Sequence, residues 1–461
     1  MRATVENDYI TVDNPTSDFE QYITEALSYT DKAVQYRLRR MAKSPFARNS
    51  PMFKKLQGEQ GGCLIKSSTG TQLVVPSGFL HLVSNAMSST TDNRRETGKK
   101  IALPWANKPF SPRDYQEEAL QLMASNWRGV INLATGLGKT LIATHAIQRF
   151  KKKALVVCPT DSIARQFYNE LVSAFGSHRV GFYGGGKKKI NDITVGIAKS
   201  VSNDIAKFAA ADLGLVVMDE CHHTPANTFY QISEGLAHVG RMYGLTATDF
   251  RSDGKDVLIT AACGDVLIRR DIVWGVAHGW LAQPYFIVRN VDTTTEPDFR
   301  DDKLRNYKAH VLNCKTMKDQ IRNDIDKFMK AGKSVLCLVD EVAHGMEIAQ
   351  QLGIPFATGK DKQSQEYVDQ LNAGTITGLV GTDGKVGEGT DTKRVDVLVL
   401  ANFVASRGPV IQAVGRGLRI YPGKSVCYIL DYVPIGSDML SRHALGRVKL
   451  YREITDKVKL L

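Results

Sequence analysis

The sequence predicts an α/β protein with two successive parallel-sheet domains, preceded by a small α+β module. Three observations carry this expectation. β-branched runs alternate with helical patterns from Phe110 to about Trp280, and a second such series starts at Ser334. The first strand of the first series ends in a glycine loop that opens a helix. At 461 residues the chain is also too long for one core and suits about three domains of ordinary size. The expected division is residues 1–100 for a small basic α+β accessory module, 101–284 and 285–436 for the two α/β domains, and 437–461 for a helix packing on the second domain.

In the first hundred residues, Ser17-Asp18-Phe19-Glu20 has capping-box form, and Phe19, Ile23 and Leu27 continue as one helical face. Cys63 to Lys66, a Ser-Ser-Thr-Gly turn and Gln72 to Val75 suggest a hairpin, and Pro76-Ser77-Gly78 leads into another helix. Seven basic residues (Arg37, Arg39, Arg40, Lys43, Arg48, Lys54, Lys55) occur with no acid between Arg37 and Lys55. They make either a solvated surface or a nucleic-acid contact. The polar segment from Ser88 to Lys100 is expected to be a linker.

Strands of the first series are expected at Val130 to Leu133, Ala154 to Cys158, Ile193 to Ile197, Leu213 to Met218 and Arg241 to Leu245. Those of the second are Ser334 to Val339, Gly378 to Gly381, Val395 to Leu400 and Val426 to Leu430, with Tyr285 to about Val311 as the connection. Leu440, Ala444, Val448, Tyr451, Ile454, Val458 and Leu461 then step at helical spacing.

The bulk composition, 43% hydrophobic and 23% charged, is that of a globular protein. A formal charge of +12 favours a polyanionic partner over an acidic small substrate. Seven scattered cysteines without a C-x-x-C pair argue for a reducing compartment and against a zinc site or disulfide framework. The opening MRATVENDYI lacks a signal peptide's apolar stretch, and no apolar run is long enough to span a membrane. A cytoplasmic location without membrane attachment is expected.

Four motifs carry chemistry. Leu133-Ala134-Thr135-Gly136-Leu137-Gly138-Lys139-Thr140 joins a strand to a helix N-terminus, where backbone N–H groups can cradle phosphates. The lysine adds a mobile cation and the threonine hydroxyl can ligate Mg²⁺. Leu133 occupies the position of the first glycine in the strict G-x-x-x-x-G-K-[ST] pattern. Asp219-Glu220-Cys221-His222 follows the buried run Leu215 to Met218; its first acid suits Mg²⁺ and its second suits the activation of water. Gly244-Leu245-Thr246-Ala247-Thr248 ends a further strand with hydroxyls in reach of His222 and Glu220, which suits coupling better than catalysis. Gln412-Ala413-Val414-Gly415-Arg416-Gly417-Leu418-Arg419 places two arginines on one helical face, ready to meet a triphosphate.

Taken in order, with Pro112-Arg113-Asp114-Tyr115-Gln116 ahead of them, Cys158-Pro159-Thr160 with Gln166 between, and Gly387-Glu388-Gly389-Thr390-Asp391 before the last, these motifs resemble superfamily 2 helicases and translocases. Leu133, together with Phe250-Arg251-Ser252-Asp253-Gly254, is similar to the branch holding XPB-like helicases, type III restriction motors and phage branch-migration helicases of the UvsW type. The match runs from about Phe110 to Val433 and is weakest in the first hundred residues.

The resemblance implies two tandem RecA-like domains with ATP between them. It makes Arg113 and Gln116 adenine readers and Thr135, Gly136, Leu137, Gly138, Lys139 and Thr140 the phosphate loop. Gly389 and Asp391 would lie near the ribose. Thr140 and Asp219 become Mg²⁺ ligands, Glu220 the catalytic base, and Arg416 and Arg419 the arginine fingers. His222, Thr246, Thr248 and Gln412 become coupling residues. Pro159, Thr160, Lys199, Ser200 and Thr382 would touch a nucleic-acid strand, mostly at phosphates. The implied activity is ATP-dependent unwinding or branch migration of forked, branched or single-stranded DNA by a monomer. An RNA helicase, a restriction motor subunit and an ATP-gated clamp that never translocates remain open from the residues alone.

Overall fold

A computed structural model describes the chain except for residues 43, 49, 59–60, 223–225, 248–255, 301, 360, 362, 383–391 and 404–406. It packs as two units, one of Met1–Leu133 with Gly138–Arg269, the other of Ala134–Leu137 with Arg270–Leu461.

The first unit is built on an eight-stranded sheet in the order Lys187–Lys188, Val180–Gly184, Ile193–Ile197, Ala154–Cys158, Leu215–Met218, Arg241–Thr246, Arg128–Leu133, Val266–Arg270. From Val180–Gly184 to Arg128–Leu133 every neighbouring pair is parallel. Helices cover both faces, which is why Leu215, Val216, Val217 and Met218 can all be apolar and fully buried. Met218 pairs with Val157 and with Gly244, and Ile197 with Cys158, so the motif-bearing strand ends line one edge of the sheet. Val180–Gly184 and Val266–Arg270 were not anticipated: the first carries two glycines and the second two arginines, which blur a strand pattern.

The N-terminal sheet has the order Ser67–Ser68, Gln72–Pro76, Tyr9–Asp13, Arg2–Val5, Ser89–Asp92. Three expectations change here. Ser89–Asp92 is not a linker but an exposed edge strand parallel to Arg2–Val5. Cys63 pairs with Ser28 in a separate two-stranded ribbon, while Gln72–Pro76 takes Tyr9–Asp13 as its main partner. Alternation decides that pairing, because Ile10 and Val12 point to the same core as Leu73 and Val75. The helix Ser17–Ala26 is capped one residue early: the Thr16 hydroxyl accepts from the Phe19 N–H at 3.3 Å.

This sheet is not separately cored. Val5, Ile10, Phe19, Ile23 and Val75 share one hydrophobic cluster with Leu258 and Ala261 of the helix Asp256–Cys263. A side chain at Gly78 would run into the Thr260 carbonyl, so only glycine permits that approach. The buried Arg128 guanidinium donates to the carbonyls of Ala262 (2.7 Å), Asn7 (2.8 Å) and Ala237 (3.0 Å). Burial pulls its pKa down to about 10.

The second unit holds a sheet in the order Phe356–Ala357, Gly378–Thr382, Val335–Val339, Val397–Ala401, Val426–Pro434, Gln283–Val291, Val458–Leu460, parallel throughout. The expected connection from Tyr285 onward therefore begins as a nine-residue strand, paired along its length with Val426–Pro434. Its alternation (Phe286, Val288 and Val291 buried; Arg289 and Asn290 less so) is the signal that marks it. The last helix spans Asp438–Ile454; Thr455 then turns extended, and Val458–Leu460 adds an edge strand where the sequence suggests continued helix. Inside, the Asp431 carboxylate accepts two bonds from Arg447 (2.7 and 2.8 Å) and one from the Tyr451 hydroxyl (2.7 Å).

Candidate active site

The phosphate loop leaves the strand Arg128–Leu133 and enters the helix Lys139–Phe150. Gly136 (φ 93°) and Gly138 (φ 80°) adopt left-handed backbone, which explains why glycines stand there. Leu133 is fully buried, so the departure from the strict motif is a core side chain ending a strand. The Lys139 ammonium donates to the Leu133 carbonyl at 3.3 Å and lies 3.5 Å from Glu220 Oε1. With Thr140 it begins the first helical turn, where the helix dipole and free N–H groups favour anions.

Gln116, 2% exposed, has its carboxamide on this loop: a side chain at Gly138 would strike Gln116 Nε2. Gln116 Oε1 accepts from the Arg113 N–H at 2.9 Å, which fixes the turn before the helix Asp114–Ser125. The Arg113 guanidinium donates to the Tyr115 hydroxyl at 3.2 Å. Tyr115 was not singled out from sequence; an aromatic between the two motif residues is the signal that points to it.

At the end of Leu215–Met218, the Asp219 N–H donates to the Val157 carbonyl at 2.9 Å, and the side chain is buried. Burial first, and the Glu220 charge second, push the Asp219 carboxyl up to about 8, against the pull of Lys139. Glu220 sits in left-handed backbone (φ 45°), an unusual conformation for a residue with a side chain. That geometry sets its carboxylate 3.5 Å from Lys139 on one side and 3.5 Å from His222 Nδ1 on the other. His222 Nδ1 in turn shares a 2.6 Å hydrogen bond with Thr246 Oγ1. The order Lys139, Glu220, His222, Thr246 is thus continuous across three strand ends.

The Asp219 carboxylate, raised by burial, and the Thr140 hydroxyl are hard oxygen donors. Mg²⁺ binds through one or two protein ligands and substrate phosphates, so Asp219 and Thr140 fit it.

The expected strand-contacting residues of the first unit sit on the same sheet edge. Thr160 caps the helix Asp161–Phe175, its hydroxyl accepting from the Ile163 N–H at 3.4 Å, and Pro159 precedes it. Lys199, exposed, and Ser200 lie in Ala198–Asn203, after the neighbouring strand. Thr382 ends Gly378–Thr382 in the second unit.

Also in the second unit, Gln412 and Arg416 are buried in the helix Arg407–Gly417. That helix stops before Arg419, so the two arginines do not share a regular helical face; the Arg419 N–H reaches back to the Arg416 carbonyl at 3.5 Å. Loop residues Ala134–Leu137 pack with this unit. A side chain at Gly136 would lie 3.3 Å from Arg419 Cγ, and one at Gly415 would lie 2.9 Å from Thr135 Cβ. The glycine next to Arg416 thus serves close approach. Thr248, Gly389 and Asp391, with the motifs at 250–254 and 387–391, lie outside the described residues.

Residues 109–251 match the family model "Type III restriction enzyme, res subunit". The chain is 31% identical over 234 residues to the DNA 3'-5' translocase XPB2 of Sulfurisphaera tokodaii, covering 50% of this chain and 52% of that one. It is 26% identical over 345 residues to the DNA 3'-5' helicase XPB of Kineococcus radiotolerans, covering 70% and 59%. Together these matches support a superfamily 2 helicase of the branch that holds XPB and the type III restriction motors. The chain spans about half the length of the curated relatives it matches first. The fold of two tandem RecA-like domains agrees with the Mycobacterium smegmatis helicase Lhr, at TM-score 0.54 and 16% identity over 76% of this chain and 49% of that one. Among the described residues no helix is long and apolar enough to cross a membrane.

Proposed function

We propose that this protein is an ATP-driven DNA translocase that unwinds or branch-migrates forked and junction DNA. The observation that carries the reading is the continuous contact from Lys139 through Glu220 and His222 to Thr246. A catalytic carboxylate joined to two neighbouring strand ends is suited to passing the state of a bound nucleotide to segments that hold a strand.

In this proposal Lys139 and the loop N–H groups bind the triphosphate, and Gln116 and Arg113 select adenine. Asp219 and Thr140 hold Mg²⁺, which when bound screens the phosphate charge. Glu220 orients water and takes its proton. Arg416 and Arg419 act on the same triphosphate and stabilise the charge of the transition state. Pro159, Thr160, Lys199, Ser200 and Thr382 contact strand phosphates, so movement is independent of base sequence. The printed names of the XPB relatives support a 3′ to 5′ direction. Branch migration rests on the likeness of the motif set to UvsW-type helicases.

The test is an unwinding panel of forked, four-way and linear substrates in DNA and RNA, together with displacement of a triplex-forming third strand. ATP-dependent stripping of the third strand and preference for branched DNA are expected, with both lost in Lys139→Ala. An ATPase that leaves the third strand in place is a clamp, and one preferring RNA branches is an RNA helicase. Either outcome refutes the proposal.

A further inference from the structure

The ribbon Ser28–Thr30 with Gly61–Cys63 pairs Thr30 opposite Gly61, so the chain leaves the N-terminal module and returns to it at one point. Between lie the helices Lys32–Met41, Pro45–Arg48 and Pro51–Gly58. They have a hydrophobic cluster of their own, formed by Val34, Leu38 and Leu56 with Met41 and Phe53 packed against it. The Asp31 carboxylate starts the first helix by accepting from the Val34 N–H at 3.0 Å. This is a small arm with a private core.

Its outer surface combines an exposed aromatic ring with a cluster of exposed cations. Val34, Leu38 and Met41 step by four and three residues and face inward, which places Tyr36 on the opposite side of that helix. Tyr36 is 69% exposed. Arg40 lies one turn on from it, with Arg37 and Arg39 on either side, all exposed. Arg48 and Lys54 are exposed on the following helices. Among the described residues none of these five cations has an acidic partner. Some helix-surface cations elsewhere are paired, as in Arg165 with Asp161 (2.6 Å), Lys330 with Asp326 (2.6 Å) and Arg407 with Glu453 (2.6 Å). Clustered like charges repel in the free protein, and a polyanion relieves that cost. An uncovered ring set among guanidinium groups adds what phosphates alone do not need: a flat apolar face that stacks on a base.

We propose that residues 32–58 form a strand-gripping arm in which Tyr36 stacks on an unpaired base and the surrounding cations take the flanking phosphates, so that the arm engages nucleic acid where duplex gives way to single strand. This rests on the nucleic-acid reading above and adds where, and by what chemistry, a fork is held outside the motor.

The test measures fluorescence anisotropy of the full chain without nucleotide on a forked duplex, a blunt duplex and phosphatidylserine vesicles, across a salt series. Tyr36→Ala should weaken fork binding roughly 5- to 100-fold, and Tyr36→Phe should restore it. Its effect on the blunt duplex should be small. Replacing Arg37, Arg39 and Arg40 by Gln should lower the slope of log affinity against log salt by roughly 2 to 3. Thermal melts confirm that the exposed substitutions leave the fold intact. Fork binding unchanged in Tyr36→Ala, or weakened equally on blunt duplex, overturns the arm's role while leaving the motor assignment standing. Wild-type chain that binds no nucleic acid at all overturns both. Arginine-dependent binding to vesicles in preference to the fork assigns the surface to a membrane and overturns the arm alone.

Discussion

Glu220→Gln removes one negative charge and keeps the side chain's shape, so it separates two roles of that carboxylate. As general base, its loss should lower turnover roughly 10²–10⁴-fold. At about 1.4 kcal/mol per decade, that is ~3–5 kcal/mol of transition-state stabilisation. Its second role is electrostatic. Asp219 is 5% exposed, and its carboxyl rises to about 8 through burial and then through Glu220. Such a group holds its proton further toward neutral pH than an ordinary carboxyl. A cation ligand must be ionised, so binding of Mg²⁺-ATP should expel protons at pH 7 and fewer at pH 9. With Gln at 220 the repulsion is gone, burial remains, and the proton count at pH 7 should fall. The sign for stability follows from the same shift: a raised carboxyl holds its proton more tightly folded than unfolded. The metal-free protein should therefore lose stability as pH climbs from the ordinary carboxylate range through about 8, less steeply in Glu220→Gln. Titration calorimetry in two buffers of different ionisation heat gives the proton count, and phosphate release gives turnover. No proton release by wild type at pH 7, or turnover of Glu220→Gln within tenfold of wild type, would refute the reasoning.

His222→Ala cuts the contact between Glu220 and Thr246, so third-strand displacement per ATP hydrolysed should fall at least several-fold; displacement and hydrolysis declining in step would remove its coupling role. Asp431→Asn leaves the Arg447 guanidinium buried without its charge partner, at a cost of about 3–5 kcal/mol by denaturant melts. A change below 1 kcal/mol there would mean that water reaches the pair. Arg128→Met keeps the stem but strands the carbonyls of Ala262 and Ala237, and should cost about 3 kcal/mol and speed deuterium exchange at Tyr9–Asp13; unchanged exchange would show that the shared apolar cluster alone holds the N-terminal sheet.

Most of the first unit's sheet was legible because buried parallel strands are continuous apolar runs bounded by loops, as at Ala154–Cys158 and Ile193–Ile197. The proposed site residues stand out in the sequence for a related reason: phosphate loops, adjacent acids at strand ends and paired arginines are chemical requirements with short spacings. Partners remote in sequence do not. Gln72–Pro76 does form a short hairpin with Ser67–Ser68, but its longer pairing is with Tyr9–Asp13, some sixty residues back, which no local signal marks. Gln283–Val291 was missed because Pro284 and the polar pair Arg289 and Asn290 leave only the four-residue apolar run from Tyr285 to Val288.

The sequence by itself determined which groups the proposed nucleotide site draws on: Lys139, Thr140, Asp219 and Glu220 at the ends of strands. Only the tertiary structure decided that Glu220 takes left-handed backbone and so stands between Lys139 and His222, and that the N-terminal sheet completes its core with Leu258 and Ala261. It alone also showed that residues 32–58 carry a private core under an exposed basic face. The physical reason is common to all three. Short motifs encode which groups are present, whereas which groups meet depends on strand register, backbone angle and burial, all set by contacts between residues far apart in the chain.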